Sequence, residues 1–553
     1  MRVLGINAVF HDPAAALVVD GHIVAAAEEE RFSRRKHGKD PVAFSTWELP
    51  VLAARWCLER AGLKPSDIDA VGYSYDPRLV PKDCARLAGY DGEWEQLRTV
   101  YAQRAPRFLS TALPGLDPSS FRHVRHHVAH AASAALAALA APHETSAVLT
   151  VDGRGESISM LAGAYRDGKL DVFSTQALPH SLGLLYEDLT EHLGFRRSSD
   201  EYKVMAMGSY GSPRFAGKLR EQIYSCGNGT FRTEPVNWAA FAPALRPHSL
   251  EGPADRPQPE HADLACSVQR LVEDVLLDVV HWLYDRADSE NLCLAGGVAL
   301  NCVANSRIFA EGPFSNVWVQ PAAGDAGTAL GAALALTAEA GIPITPMRSA
   351  QLGAQWSDQQ IAVALDQAAV TYERPDDLGA TVAESLAANK LVGWFQGPSE
   401  FGPRALGGRS LLADPRRPEN IDKLNAVKGR EQFRPVAPMV LSERANEIFS
   451  RGPLPSPYMT FVHDVARAWR ERIPAVTHVD GTARIQTVDD SQPLLCSTIR
   501  SFDELTAVPV VINTSFNTAG RPIVDSPRDA LECFGSAPID LLAIGPYLVR
   551  RQW

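Results

Sequence analysis

Three short apolar runs open the chain, Val3–Ile6, Ala14–Val19 and Ile23–Ala27, with Asp20-Gly21 between the second and third. Runs of this length bounded by turn residues predict strands, and an Asp-Gly pair between two of them predicts a two-residue hairpin. The pattern returns later as Val148–Val151, a turn at Asp152-Gly153, Ser159–Tyr165 and, beyond Asp167-Gly168, Leu170–Phe173. Helix-patterned segments follow each group, Val51–Ala61 after the first and Ser267–Arg286 after the second. The groups share pattern rather than residue identity, which predicts a duplication. Two β-rich halves with glycine turns after their first strands suggest a nucleotide held between subdomains.

A third phrase, "NLCLAGGVALNCVANSRI", predicts a buried strand over Asn291–Ala295, a tight turn at Gly296-Gly297 and a helix from Ala299. Glycines in such a turn let a ligand approach the backbone, and the N–H groups of the following helix favour an anion. Asp325 then ends a loop, and Gly331 lies within an apolar helix pattern. Around Ala340 the texture changes to Pro, Gly and small residues, and a new pattern starts at Ser357. It predicts helices over Asp358–Ala368 and Leu378–Asn389, then a strand at "LVGWFQG". The expected organisation is a first domain over 1–341, a linker over 342–356 and a second domain over 357–553.

Composition narrows the function classes. At 553 residues the chain exceeds one hydrophobic core, and 45% apolar residues is a globular content. Net charge is −11, from 54 Lys and Arg against 65 Asp and Glu, which disfavours nucleic acid as a general partner. The eight cysteines are scattered without CxxC spacing, which predicts reduced thiols and a cytoplasmic protein. The start "MRVLGINAVFHD" lacks a signal-peptide pattern. The alanine-rich run ending at Ala141 is interrupted by Ser133 and bounded by histidines and Pro142, so it is rejected as a membrane span.

That run, "VRHHVAHAASAALAALAA", favours a helix because Ala loses least in one. His126 and His130, four apart, share a face and can ligate one cation, whereas His127 points away, toward the surface or the ligands' surroundings. The spacing is that of HExxH, but position 127 is His, so the general-base Glu of a metalloprotease is missing. By itself the pair fits solvated helix-start residues as well as a metal site. Carboxylates on loops after strands would complete a site, and Asp152 and Asp325 occupy such loops.

Other candidates are equally two-sided alone. His11 and Asp12 follow the first strand, where a nucleotide phosphate or acceptor could be met, His11 as a general base or a hydrogen-bonded loop residue. "RFSRRKHGKD" gathers Arg34, Arg35, Lys36 and Lys39 as a solvated face or a phosphate holder, and "EYKVMAMGSYG" sets Lys203 beside small residues suited to a base or ribose. In the second domain "GPSEFGPRALGGRSLL" carries Arg404 and Arg409, and "VKGREQFRPVAP" carries Lys428, Arg430 and Arg434. "TARIQTV" puts Arg484 in a strand, and "VVINTSFNTAGRPIV" brings Asn513, Thr514, Ser515 and Asn517 after a buried one. Guanidinium forks suit phosphate oxygens, so several such loops in an acidic protein argue for a polyanionic small molecule.

In order, "FHDPAAALVVDG", "AEEERFSRRKHG", "HHVAHAASA", "VDGRGE", "AGGVALN", "GPRALGGRSLL", "FRPVAP" and "NTSFN" span essentially the whole chain. Together they resemble the O-carbamoyltransferase family of the nodulation and antibiotic type. The resemblance implies an α/β protein: a duplicated actin/hexokinase-like N-terminal domain, similar to the tRNA threonylcarbamoyl transferase, and a C-terminal threonylcarbamoyl-AMP-synthase-like (YrdC-like) domain. It implies that carbamoyl phosphate and ATP, with Mg(II), give carbamoyl-AMP. The carbamoyl group then moves to a hydroxyl of a small-molecule acceptor such as an aminoglycoside, macrolide or ansamycin.

Matched by motif, His126, His130, Asp152 and Asp325 are expected to bind iron(II) or another divalent metal. His11 would take the acceptor proton, with Lys36 contacting substrate. Gly153, Lys203, Gly296, Gly297 and Asn301 would contact nucleotide in the first domain. Arg404, Lys428, Arg430, Arg434, Arg484, Asn513, Ser515 and Asn517 would bind carbamoyl phosphate and ATP in the second. Relatives often read "KVMGLAxYG" where this chain has "KVMAMGSYG", which implies a rearranged wall around Lys203. The proline-rich stretch 213–262 carries none of the motifs, and acceptor specificity is expected there. The expected protein is a cytoplasmic monomer or homodimer with no nucleic-acid or membrane partner. A tRNA threonylcarbamoyl-type transferase or an actin-like-fold small-molecule kinase would fit the first domain but leave the second domain's arginine loops unexplained.

Overall fold

The computed structural model describes residues 1–38, 49–90, 92–138, 145–245 and 257–551. The chain divides into two compact units, Met1–Pro247 with Pro259–Ser349, and Ala350–Trp553. The stretch expected as a linker is shared between them. Met347 is buried in the first unit with its N–H on the Ala137 carbonyl at 3.0 Å, and in the second the Trp356 indole donates to the Asp525 carbonyl at 2.9 Å.

In the first unit β1 (Arg2–Asn7), β2 (Ala14–Val19), β3 (His22–Glu28), β4 (Ala70–Tyr73) and β5 (Phe121–His123) form a five-stranded sheet in the order β3-β2-β1-β4-β5. β1, β2 and β3 pair antiparallel, while β4 lies parallel to β1 and β5 parallel to β4. β6 (Ser146–Val151), β7 (Ile158–Arg166) and β8 (Lys169–Ala177) begin a second group. A short ribbon follows, β9 (Ile223–Ser225) with β10 (Phe231–Thr233), and then β11 (Asn291–Ala295) and β12 (Asn316–Val319). The second sheet, β12-β11-β6-β7-β8, repeats the first strand for strand, with the same antiparallel and parallel pairings. This is the duplicated actin/hexokinase-like topology. Parallel neighbours need helical crossovers, which cover both faces of a sheet. Accordingly β1 is buried from Val3 to Asn7.

Each half closes on a helix that follows its fifth strand: His126–Ala135 after β5, and Ala326–Glu339 after β12. Both are rich in Ala, and the second adds Gly327 and Gly331, so small side chains let the backbones nearly touch. A Cβ on Gly331 would lie 1.7 Å from the Ala129 carbonyl oxygen, so only glycine fits there.

Several boundaries differ from the sequence expectation. The helix expected over Ser267–Arg286 runs over Pro259–Ala287. The helix expected from Ala299 starts at Cys302, after a 3₁₀ turn over Gly297–Leu300, because the Asn301 side chain accepts the Ala304 N–H at 3.1 Å and caps it. Among the described residues no helix is long and apolar enough to cross a membrane.

The second unit is a separate α/β domain on a mixed eight-stranded sheet, with a smaller three-stranded sheet beside it in the chain. Arg409–Ala413, Val510–Ser515 and Ala437–Leu441 are successive antiparallel neighbours in it. Its core gathers Trp394, Phe395, Phe502 and Phe516. "TARIQTV" splits into strands Thr482–Ala483 and Gln486–Val488, which leaves Arg484 between them rather than in a strand.

Candidate active site

The duplicated topology brings four expected residues of the first unit to one point. His126 and His130 sit on the first turns of one closing helix, Asp325 immediately precedes the other, and Asp152 follows β6. All four are buried, and one donor atom from each lies within 4.8 Å of the others. His126 Nε2 and His130 Nε2 are 3.2 Å apart; His126 Nε2 is 3.3 Å from Asp152 Oδ2 and 3.5 Å from Asp325 Oδ1. His130 Nε2 is 3.7 Å from Asp152 Oδ2 and 3.6 Å from Asp325 Oδ1.

These residues fit a divalent cation. Ligands bound at about 2.1 Å stand roughly 3.0–3.4 Å apart around a common ion, close to the separations seen. The Ser74 carbonyl, 3.2 Å from His126 Nδ1, can only accept, so Nδ1 carries the hydrogen and Nε2 presents its lone pair to the cluster. Each carboxylate divides its oxygens in the same way. Asp152 Oδ1 accepts the Gly297 N–H at 2.8 Å, and Asp325 Oδ2 accepts the His11 N–H at 3.0 Å. Burial opposes ionisation of Asp152, but hydrogen bonds and charge from His126 and His130 hold its carboxyl well below the usual range.

His127 is the exception to the surface reading. It is buried, and burial followed by the charge of His126 pushes its imidazole down to about 3. It is a neutral packing residue, because the helix is covered on that side too.

Three residues close to the cluster were not singled out in the sequence. Glu156, from "VDGRGE", accepts the backbone N–H groups of both His126 and Asp76 through Oε1 at 2.8 Å. Phe10 stands edge-on to His126 at 5.3 Å, with the guanidinium groups of Arg98 and Arg154 over its ring at 4.7 and 5.3 Å. His37 places Nδ1 2.9 Å from Asp12 Oδ1 while His11 Nδ1 is 2.8 Å from Asp12 Oδ2. Burial opposes ionisation of Asp12, yet His11 and His37 hold its carboxyl well below the usual range. Lys36, expected to contact substrate, is exposed, and its neighbour His37 is the residue that turns onto Asp12. Lys39 lies outside the described residues, as do 246–256 of the proline-rich stretch.

The expected nucleotide contacts fall into two groups. Gly153, Gly296 and Gly297 adjoin Asp152; Gly296 has φ +92, and a Cβ there would meet the Val151 carbonyl oxygen at 2.2 Å. Asn301 is spent on its helix cap and on a 2.8 Å bond to Gln269, and Lys203 pairs with Asp200 at 3.1 Å.

In the second unit Lys428 Nζ donates to the Ser515 carbonyl at 2.7 Å, to Ser515 Oγ at 3.0 Å and to Asn517 Oδ1, which makes one knot of three expected residues. Asn513 is buried in the sheet, its amide donating to the Ala405 carbonyl at 2.8 Å and to Gln486 Oε1 at 3.0 Å. Its donors tie the loop that carries Arg404 to the strand that ends in Ser515, so it supports the site rather than lining it. Arg430 bonds Asn425 through Nε, and Arg434 lies 3.5 Å from Glu431. Arg409 does not face a phosphate: it is fully buried and donates to the carbonyls of Gln396, Gly397, Gly408 and Ala354.

A duplicated actin/hexokinase-like unit with a buried His₂Asp₂ pocket, on one chain with an arginine-bearing α/β unit, describes a group-transfer enzyme. Residues 2–334 match the carbamoyltransferase N-terminus and residues 383–551 the carbamoyltransferase C-terminus. The chain belongs to the carbamoyltransferase family. Nodulation protein NolNO of Sinorhizobium fredii is 37% identical over 577 residues, covering 99% of this chain and 80% of the relative. Nodulation protein U of Bradyrhizobium diazoefficiens is 31% identical over 573 residues, 94% of this chain and 93% of the relative. An uncharacterised protein of Synechocystis sp. is 37% identical over 612 residues, 100% of this chain and 97% of the relative.

Proposed function

We propose that the second unit makes carbamoyl-AMP from carbamoyl phosphate and ATP, and that the first transfers the carbamoyl group to a hydroxyl of a small-molecule acceptor of the antibiotic type. The observation that carries this reading is the 3.0 Å bond from the His11 N–H to Asp325 Oδ2. This backbone contact sets the loop that carries His11 against a buried donor set of two histidines and two aspartates.

In the first step carbamoyl phosphate, water and ATP give carbamoyl-AMP, phosphate and pyrophosphate. Arg404, Arg430, Arg434 and Arg484 offer guanidinium forks to phosphate oxygens, and Lys428, Ser515 and Asn517 supply the adjoining polar groups. Mg(II) accompanies the ATP. In the second step the acceptor oxygen attacks the carbamoyl carbon, its proton passes to His11, and the bond from that carbon to the AMP oxygen breaks. A positioned base of this kind is worth about 10²- to 10⁴-fold. Gly153, Gly296 and Gly297, beside Asp152, would meet the nucleotide through their backbone. His126, His130, Asp152 and Asp325 would hold a divalent cation, expected to be iron(II), which as a Lewis acid supplies charge stabilisation at a carbonyl or phosphate oxygen.

The test is pyrophosphate release from ATP with and without carbamoyl phosphate, followed by mass spectrometry of an acceptor panel for the gain of one carbamoyl group. Carbamoyl-phosphate-dependent release and one carbamoylated acceptor are expected. ATP turnover that ignores carbamoyl phosphate overturns the proposal.

A further inference from the structure

We propose that Asp12 is a positioning residue that fixes His11 in the tautomer able to accept a proton, with His37 and Ser199 holding the Asp12 carboxylate in place. The inference rests on the reading of His11 as the base for transfer. An ionised carboxylate has no hydrogen to give, so each imidazole nitrogen that meets it must be the donor. His11 Nδ1–H therefore donates to Asp12 Oδ2 at 2.8 Å and His37 Nδ1–H to Asp12 Oδ1 at 2.9 Å. Nε2 of His11 is then the basic nitrogen. On His37, Nε2 in turn accepts the Ser199 hydroxyl at 3.1 Å, so both of its nitrogens serve to hold the carboxylate.

The backbone is committed to the same contact. Asp12 has φ 42 and His37 φ 62, in the left-handed region where a side chain costs energy and which persists only where the surroundings fix it. Asn7 Nδ2 donates to the His11 and Asp12 carbonyls at 2.8 and 3.0 Å, and the His11 N–H is bound to Asp325. The main chain of the loop is thus pinned from two sides. What remains for Asp12 to decide is which ring nitrogen of His11 carries the hydrogen. With the hydrogen on Nε2, His11 could not take the hydroxyl proton as the acceptor oxygen bonds the carbamoyl carbon and AMP departs.

Two measurements on the full-length protein test this. In ¹⁵N-histidine spectra of the zinc-loaded protein, with the His11 signals assigned by their loss in His11→Gln, the wild type should show hydrogen on Nδ1. Asp12→Asn should show a mixture of tautomers. In steady-state transfer from supplied carbamoyl-AMP to the acceptor that the panel identifies, Asp12→Asn should lower kcat at least a hundredfold and leave KM for that acceptor within about threefold. His37→Ala should lower kcat, and His37→Asn, whose amide N–H replaces Nδ1–H, should recover at least tenfold over it. An unchanged His11 tautomer in Asp12→Asn overturns the inference. So does an Asp12→Asn rate within threefold of wild type when His11→Ala is inactive. Full transfer by His11→Ala would instead sink the base reading, while the spectra still decide the role of Asp12.

Discussion

Gly331→Ala should break the proposed metal site from outside it. The new Cβ would lie 1.7 Å from the Ala129 carbonyl oxygen and 2.9 Å from the Ser133 nitrogen. A carbon–oxygen contact needs about 3.3 Å, so the two closing helices must separate by roughly 1.6 Å. One helix carries His126 and His130 and the other directly follows Asp325, whose Oδ1 is 3.5 and 3.6 Å from their Nε2 atoms. Metal ligand distances tolerate only about 0.2 Å, so the cluster would lose Asp325 or both imidazoles. Replacing a helical Gly by Ala otherwise gains about 1 kcal/mol, against about 1–3 kcal/mol or more for overpacking. Net destabilisation is expected. The control is Gly217→Ala, in the helix Ala216–Leu219, where a Cβ meets nothing within 4 Å. Anaerobic titration of the metal-stripped protein with iron(II), alongside thermal unfolding, should show Gly331→Ala losing at least a hundredfold in affinity and melting lower, with the control unchanged. Wild-type affinity and melting temperature in Gly331→Ala would refute the argument.

His130→Ala should abolish transfer from carbamoyl-AMP while carbamoyl-phosphate-dependent pyrophosphate release stays within about threefold of wild type, since the two steps are assigned to different units. Arg434→Ala should do the reverse in the same pair of assays, by more than about tenfold, if its guanidinium holds phosphate. Glu201 gives a pH-dependent case: burial, then the charge of Glu187, pushes its carboxyl up from 4.5 to about 7. A folded value above the unfolded one costs nothing below pH 4.5, costs progressively more between the two values, and costs its full amount above pH 7. Glu201→Gln should therefore stabilise the protein by up to about 3 kcal/mol at pH 8 and by nothing at pH 4, as read from urea unfolding.

The parts of the site that sequence could show are those set by local periodicity. An i,i+4 histidine pair must share a helix face, and Asp152 and Asp325 stand out because each ends a strand or loop of its half. His37 could not be read in this way. Its contact with Asp12 joins residues 25 apart through two left-handed backbone positions, which no spacing rule anticipates. Glu156 was in plain view within "VDGRGE", but its role as acceptor for the His126 N–H depends on the packing of β7 against a helix. Arg409 and Asn513 show the opposite failure. Each has the residue type a phosphate site wants, yet a guanidinium that feeds four carbonyls and an amide buried in a sheet look the same in sequence as ones that face a ligand. Of the two places open to His127, the surface is excluded because this helix has no wet face there, and its ring stands 5.6 Å from that of His126.

The duplication also accounts for the chemistry of the donor set. Equivalent helices of the two halves bring their N-termini to the cluster, one opening at His126 and the other directly after Asp325. Each N-terminus carries about half a positive charge, which disfavours a cation and favours an anion. Two neutral imidazoles alone would not overcome that field. Asp152 and Asp325 add two negative charges in a buried place, and Glu156 takes up the His126 N–H that would otherwise point its dipole outward. The carboxylates are therefore the electrostatic condition for a cation at this position, and the histidines direct it. The same two helix ends also favour an anion, so in the proposed reaction one fold feature would serve both the cation and the phosphate of the departing nucleotide.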